Sequence, residues 1–326
     1  MKKEDLELKL EEAKTAEESG DFFSSSFLYT DATEIARNLG DSTSVTFCKN
    51  KVVEMNRKSK SAYKELSVEQ QVPNEDIEKA INPILEGTIE EILKKIGASL
   101  VLYPVMADVE KTAQGNMPIS YQIANLSTRS ESGHLVKGGT DGNLAWTIQM
   151  YSICQGIISE LFLSRIFTSL KEKGLDKENF ISYLRSSGIF PENNLKLIEV
   201  GIDKYLNNDY VSAIHILIPQ FEGVFLYISE KLGIDIVSLN RGKEISTQIK
   251  TLSSEYLSSE KFQNKWGRDF CEQIKFVLFE PLGYTLRHKV AHGQISIQEC
   301  NLSNSNLILY FFLVLAGRVG VKFENV

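Results

Sequence analysis

The chain has 326 residues, of which 42% are hydrophobic and 24% are charged, and its formal net charge is −7. These values are typical of a soluble globular protein of one to three domains, and the acidic balance argues against a broad nucleic-acid-binding surface. The four cysteines lie far apart without a C-x-x-C pair, which argues against a disulfide framework and against a zinc finger.

No segment predicts secretion or membrane insertion. The N-terminal residues carry charge without the apolar run of a signal peptide. The uncharged apolar run at residues 307–317 is too short to span a bilayer. We therefore expect a cytoplasmic protein that makes no membrane contact.

Two Gly-Asp dipeptides divide the N-terminal part of the chain. Gly20-Asp21 and Gly40-Asp41 each separate stretches with the hydrophobic periodicity of a helix. Their spacing of one helix length resembles the helical hairpin of a tetratricopeptide repeat, although about one and a half repeats are too few for a solenoid. We predict a helical packing unit here, and binding of a protein partner is the alternative interpretation.

The middle of the chain predicts helices on either side of a loop-rich segment. Asn74 is expected to cap a helix that kinks or breaks at Pro83. Residues 119–124 predict a short strand, and residues 144–170 form the longest apolar stripe, which predicts a buried central helix.

Residues 133–140 have the outer spacing of a phosphate-binding P-loop. Gly139 stands where that motif has the lysine that contacts the β- and γ-phosphates. The stretch therefore predicts a mobile surface loop and argues against nucleotide hydrolysis.

Asp209 is expected to cap a strongly apolar helix that Pro219 bends. His215 lies among apolar neighbours and is interpreted as a core histidine. Glu222 is a carboxylate in the same apolar run, and a buried carboxylate needs a partner. Further helices are predicted at residues 238–257, 268–280 and 302–319.

The segment at residues 283–293 carries the strongest functional pattern. Arg287 and His292 lie five positions apart, and His288 follows the arginine directly. A guanidinium can hold two oxygens of one phosphate, and an imidazole can transfer protons near neutral pH. A plainer interpretation is that Arg287 caps a neighbouring helix and that His292 makes a hydrogen bond in a helix-ending turn at Gly293.

The pairing of Leu-Ile-Pro-Gln-Phe-Glu at residues 217–222 with Gly-x-x-Leu-Arg-His-x-x-x-His-Gly at residues 283–293 resembles a known family. That domain-of-unknown-function family is defined by R-N-x-x-x-H-G. It is similar to the HEPN superfamily, whose signature is R-x(4–6)-H with a polar residue after the arginine. His288 stands here where asparagine is more usual, and the resemblance covers roughly residues 200–326.

The resemblance implies an all-α helical bundle, with a HEPN-like domain at residues 191–326 behind a helical, partly tetratricopeptide-like region at residues 1–190. It implies a homodimer that cleaves RNA without a metal or other cofactor, as in toxin and phage-defence systems. The two-fold interface is expected to include the motif segment and the helices near residues 209–230 and 302–319.

In this interpretation Arg287 binds the scissile phosphate and His292 transfers a proton. His288 or Tyr284 orients the pair, and Glu222 holds the guanidinium by a salt bridge. Lys289 completes the set of supporting residues.

Two alternatives stay open. A non-catalytic HEPN-like module for protein interaction or RNA binding would use Arg287 and Glu222 as a structural pair. A zinc hydrolase would use His288 and His292 at positions i and i+4, with Glu222 as the third ligand.

Overall fold

The computed structural model describes residues 3–59, 72–118, 121, 126–129, 135–140, 142–241 and 245–323. The predicted all-α helical bundle is confirmed, and two short β-hairpins accompany the helices. The chain forms two compact units, Met1–Gln70 with Ile123–Gly142 and Gln71–Gln122 with Asn143–Val326. The domain boundary predicted at residue 190 falls inside the second unit, because helices on both sides of that residue share one core.

Within its described residues, the first unit contains three consecutive helices and one hairpin. Gly20 and Gly40 have φ angles of 80° and 72°, a left-handed conformation that ends a helix at little cost for glycine. Asp21 then caps the second helix by accepting a hydrogen bond from the Ser24 amide at 3.0 Å. The elements are α1 (Lys3–Glu18), α2 (Phe22–Asn38), α3 (Ser42–Ser59), β1 (Leu126–Arg129) and β2 (Leu135–Thr140).

The glycine-rich stretch in this unit differs from its prediction. β1 and β2 pair as antiparallel strands where the sequence predicts a mobile loop. A hairpin satisfies backbone hydrogen bonds that a surface loop leaves to water, so glycine-rich segments can still pair. Residues 133 and 134 of the P-loop-like pattern lie outside the described part of the chain.

The second unit contains the remaining helices and the second hairpin. Its elements are α4 (Asn74–Leu85), α5 (Ile89–Ala98), α6 (Met106–Gly115), α7 (Gly142–Gly156), a π-helical segment (Ile157–Leu163), α8 (Ser164–Glu172), α9 (Lys177–Ser186), α10 (Glu192–Leu206), α11 (Tyr210–Lys231), β3 (Val237–Arg241), β4 (Ile245–Ile249), α12 (Ser254–Leu257), α13 (Glu260–Trp266), α14 (Arg268–Leu278), α15 (Leu286–Ala291) and α16 (Leu302–Phe323).

The C-terminal helix α16 forms the centre of this unit. Leu307 and the eight residues that follow it are 0% exposed. Gly97 on α5 lies so close to the Leu313 carbonyl that a β-carbon at this position would collide with it. The prediction that α16 contributes to a two-fold interface is therefore wrong for this apolar stretch, because the chain's own helices already cover it.

The helix predicted at residues 238–257 is also wrong for most of its length. β3 and β4 occupy this region as an antiparallel hairpin with Val237 opposite Ile249, and only the short α12 is helical. Alternation of apolar and polar residues along Val237–Arg241 and Ile245–Ile249 has the period of a strand, and β-branched residues favour strands. The helices predicted at residues 268–280 and 302–319 are confirmed.

Three local predictions have mixed outcomes. α4 ends two residues after Pro83, as the predicted break requires. Asn74 is the first residue of α4 instead of its cap, and its Oδ1 accepts a hydrogen bond from Arg165 at 2.8 Å. The strand predicted at residues 119–124 lies outside the described residues except for Tyr121.

His215 is exposed, so its interpretation as a core histidine is wrong. α11 buries Ala213, Ile214 and Leu217, and position 215 lies on the opposite side of the helix. Its Nδ1 atom is 2.8 Å from the Val211 carbonyl oxygen.

Two helices within the described ranges are long and apolar enough to cross a membrane, Gly142–Glu172 and Tyr210–Lys231. Both contribute buried side chains to the hydrophobic core of the second unit.

Candidate functional site

The motif segment forms a short helix, α15, that the end of α14 positions. Gly283 packs against the Phe276 carbonyl so closely that no β-carbon would fit there. The Tyr284 amide then donates a hydrogen bond to the same carbonyl at 3.0 Å. Leu286 is 0% exposed and fixes the helix on the core. The turn at residues 281–283 is thus the attachment point of the motif.

Thr285 begins α15 in a strained conformation. Its φ angle is 51° and its ψ angle is 28°, in the left-handed region that β-branched residues rarely occupy. Such a conformation costs about 1–3 kcal/mol and persists only where the surrounding structure fixes it. Strain of this kind is concentrated at functional sites, so its position directly before α15 supports a functional role for that helix.

Arg287 forms the predicted pair with Glu222. Its Nε lies 2.8 Å from Glu222 Oε2, and its Nη2 lies 3.3 Å from Oε1. The backbone amide of Leu252 donates a further hydrogen bond to Oε1 at 3.1 Å. The side chains of Arg287 and Glu222 are 26% and 14% exposed. Glu222 therefore holds one edge of the guanidinium while another part of Arg287 stays open to solvent.

His288 on α15 and His292, the C-cap residue of that helix, form a second pair. The two rings lie with centroids 4.3 Å apart and an interplanar angle of 54°. Both residues are exposed. Positions i and i+4 lie on one face of a helix, so this pair follows directly from the local spacing.

The arginine pair and the histidine pair point in different directions. Successive residues on a helix are rotated by about 100°, so His288 lies about one quarter of a turn or more from Arg287. In the described part of the chain, no hydrogen bond or ring contact joins Arg287 to either imidazole. His292 directly follows α15 as its C-cap residue.

Lys289 forms a salt bridge with Glu299. The other Glu299 oxygen accepts hydrogen bonds from the Ser296 amide and hydroxyl, both at 2.9 Å. Burial acts to raise the pKa of Glu299, but hydrogen bonds from Lys289 and Ser296 outweigh it and leave the pKa lowered. This salt bridge therefore connects α15 to the segment around Glu299 that follows the motif, and it supports the site indirectly.

Tyr284 packs edge-on against Phe276, with ring centroids 5.3 Å apart. Burial raises the pKa of its hydroxyl, although a hydrogen bond with Ser159 acts in the opposite direction. Tyr284 thus contacts α14 and the π-helical segment, and among the described residues no hydrogen bond or ring contact joins its side chain to Arg287.

The described residues contain no group of three metal-ligating side chains. Glu222, the third ligand required for a zinc site, is already bonded to Arg287 and to the Leu252 amide. The histidine pair by itself lacks the three protein ligands that catalytic zinc sites use.

Sequence reasoning missed Thr285, Leu252 and Glu299. The first two depend on backbone geometry and on a distant loop, which no local pattern reveals. Glu299 could have been found, because Ser296-x-x-Glu299 has the spacing of a capping box. Comparison with protein families, with curated proteins and with solved structures found no match to this chain.

Proposed function

We propose that the protein is a metal-independent endoribonuclease of the HEPN type. The observation that carries the proposal is the exposed pair His288–His292, 4.3 Å apart between ring centroids, on the same short helix as an arginine with a fixed orientation. Two imidazoles and a guanidinium are sufficient for cleaving RNA by general acid–base chemistry.

In the proposed reaction, a neutral imidazole removes the proton from a ribose 2′-hydroxyl. The 2′-oxygen forms a bond to phosphorus while the bond from phosphorus to the 5′-oxygen breaks. A protonated imidazole gives its proton to that leaving 5′-oxygen. The products are a 2′,3′-cyclic phosphate and a 5′-hydroxyl end, and DNA is not cleaved because it lacks the attacking hydroxyl.

Arg287 would neutralise the phosphate. A guanidinium has five N–H donors, and the contact with Glu222 uses Nε and Nη2. That contact leaves both donors of Nη1 and one donor of Nη2 for a ligand. These donors suit the bidentate recognition of phosphate oxygens, which an ammonium group cannot reproduce.

The site gives different functions to its two histidines. His292 is the proposed general base or acid, as the HEPN resemblance implies, and His288 supplies the second imidazole. One chain would then hold both proton-transfer groups. Because Arg287 and the two histidines of one chain point in different directions, a homodimer, which the resemblance also implies, would bring the arginine of one chain towards the histidines of the other.

We further propose a cytoplasmic toxin or phage-defence effector, with the N-terminal helices binding a protein partner. The experiment that tests the central proposal is incubation of the purified protein with total RNA in EDTA, beside an Arg287→Ala/His292→Ala double variant. Cleavage that leaves 5′-hydroxyl ends and is lost in the double variant is the expected result. Cleavage that needs Mg²⁺, or that leaves 5′-phosphate ends, would contradict the mechanism.

A non-catalytic module is the second candidate function. The observation that favours it is the double engagement of Glu222, which bonds both Arg287 and the Leu252 amide as a structural ion pair would. In that case RNA would stay intact in every buffer, while substitution of Glu222 would still destabilise the fold.

A further inference from the structure

His288 and His292 have a geometry that also suits a metal ion. The His292 amide donates a hydrogen bond to the His288 carbonyl at 3.1 Å, so the backbone holds the two residues one helical turn apart. Their ring centroids are 4.3 Å apart, and both side chains are exposed. Two histidines at positions i and i+4 of one helix face are the ligands that helical zinc sites use.

The separation of the two rings fits coordination of a single ion. Zn²⁺ binds imidazole nitrogens at about 2.0–2.1 Å with tetrahedral geometry, which places two such nitrogens roughly 3.4 Å apart. With the centroids 4.3 Å apart, one nitrogen from each ring can reach this separation by rotation of the exposed side chains. The backbone does not have to move.

The cations beside the histidine pair are already neutralised. Arg287 forms a salt bridge with Glu222, and Lys289 forms one with Glu299. A dication that approaches the imidazoles therefore meets little uncompensated positive charge. Both carboxylates are engaged in these contacts, so water molecules would complete the coordination of the ion.

The cysteines are poor competitors for such an ion. Cys48, Cys271 and Cys300 are buried, and burial raises the pKa of each thiol. Burial also raises the pKa of Cys154. A metal binds the thiolate form, which these raised pKa values make scarce near neutral pH.

We propose that the histidine pair is a reversible binding site for a divalent transition-metal ion such as Zn²⁺, and that the bound ion inhibits RNA cleavage. Structural zinc sites have four protein ligands and catalytic sites have three, so a site with two releases its ion more readily. Coordination uses the lone pair with which a neutral imidazole accepts a proton, so the ion withdraws both histidines from proton transfer. The inhibition rests on the proposed function, whereas the binding does not.

Binding is tested by titration calorimetry on the full-length protein without a polyhistidine tag. We expect one Zn²⁺ per chain and no binding of Mg²⁺, which prefers oxygen ligands. His288→Ala and His292→Ala should each weaken Zn²⁺ binding by about 10²-fold, because the second ligand of a linked pair binds at a high effective concentration. His215→Ala is the matched control, since it removes a single exposed imidazole from α11.

Inhibition is tested by following cleavage of a labelled RNA in EDTA and in saturating Zn²⁺, with RNA and Zn²⁺ alone as the blank. We expect cleavage in EDTA and a rate lower by about 10²-fold or more in Zn²⁺, because the ion removes the general acid and the general base. Excess EDTA added afterwards should restore the rate.

The binding and cleavage measurements fail separately. Absence of Zn²⁺ binding, or binding that His292→Ala leaves unchanged, would overturn the metal site. Binding at the pair with an unchanged cleavage rate would overturn the inhibition and remove both imidazoles from the mechanism. RNA that stays intact in every buffer would refute the nuclease and with it the inhibition, while the calorimetry would still decide the metal site.

Discussion

The two side-chain pairs of α15 are neighbours in sequence, but the protein holds them in different ways. Arg287 is fixed by a carboxylate 65 positions away, and that carboxylate is itself bonded to the Leu252 amide. His288 and His292 lie together only because of their spacing on one helix, and both are exposed. The arginine is thus part of the folded framework, whereas the histidines are free to meet a ligand.

Binding of phosphate and transfer of protons place different demands on the side chains of the site. A group that binds phosphate works best when its orientation is fixed before the ligand arrives, because ordering it afterwards costs free energy. Proton-transfer groups must instead be accessible, and their geometry tightens when substrate binds. Substitutions in the arginine pair should therefore lower stability as well as activity. Substitutions in the histidine pair should lower activity and leave stability nearly unchanged.

The largest expected effect belongs to the histidine pair. His292→Ala should lower the rate of RNA cleavage by about 10²–10⁴-fold, the usual contribution of a general acid or base. The melting temperature should change little, because the ring is exposed. Single-turnover cleavage of a labelled RNA measures the rate, and His215→Ala is the control, as it removes another exposed imidazole from α11. Equal losses in both variants would remove His292 from the mechanism.

The next effect tests whether Arg287 does more than stabilise the fold. Arg287→Lys keeps the charge beside Glu222 but replaces the planar fork with a point charge. We expect the cleavage rate to fall by about 10²–10³-fold, in the range found for removing a donor that stabilises transition-state charge. The measurement is the same cleavage assay, together with a melting curve. A variant that melts earlier and still cleaves at the wild-type rate would assign Arg287 to the framework alone.

The sequence predicts the histidine pair more completely than the arginine pair. The contact between His288 and His292 follows from i and i+4 spacing, which needs no tertiary information. Glu222 is identifiable because a carboxylate in an apolar run requires a partner, and Arg287 is that partner. The Leu252 amide cannot be predicted in the same way, because the sequence predicts a helix where the structure has the hairpin before it.

The errors in the predicted fold also arise because local sequence patterns do not show tertiary packing. The apolar run of α16 predicts a buried helix equally well for a monomer core and for a subunit interface. Only the packing of α5 and α11 around it decides between the two. His215 shows the converse, since apolar neighbours in sequence do not place a side chain on the apolar face of its helix.

The contribution of the arginine pair to stability can be measured separately. Glu222→Ala removes two hydrogen bonds to Arg287 and one to Leu252. The expected loss is about 1–3 kcal/mol, below the value for a fully buried pair because Arg287 is 26% exposed and can be hydrated. Denaturant unfolding measures the loss, and Glu230→Ala on the exposed side of α11 is the control. An unchanged midpoint would show that the pair contributes nothing to folding.

The smallest expected effect on stability concerns Glu299. Its salt bridge with Lys289 connects the segment after the motif to α15. Hydrogen bonds from Lys289 and Ser296 lower the pKa of Glu299 below its ordinary value of 4.5, although burial opposes them. The folded state therefore binds fewer protons than the unfolded state at low pH. The resulting stability is fully present above about pH 4.5 and is lost as the pH falls through the lowered pKa.

Glu299→Gln should remove this contribution, on the order of 1 kcal/mol, because the pair is partly exposed. The difference in unfolding free energy between wild type and variant should be constant above about pH 5 and should shrink below about pH 4.5. Glu260→Gln, an exposed carboxylate on α13, is the control. A difference that instead grows on acidification would mean that Glu299 is better bound in its protonated form, and Lys289 would then not hold the segment after the motif.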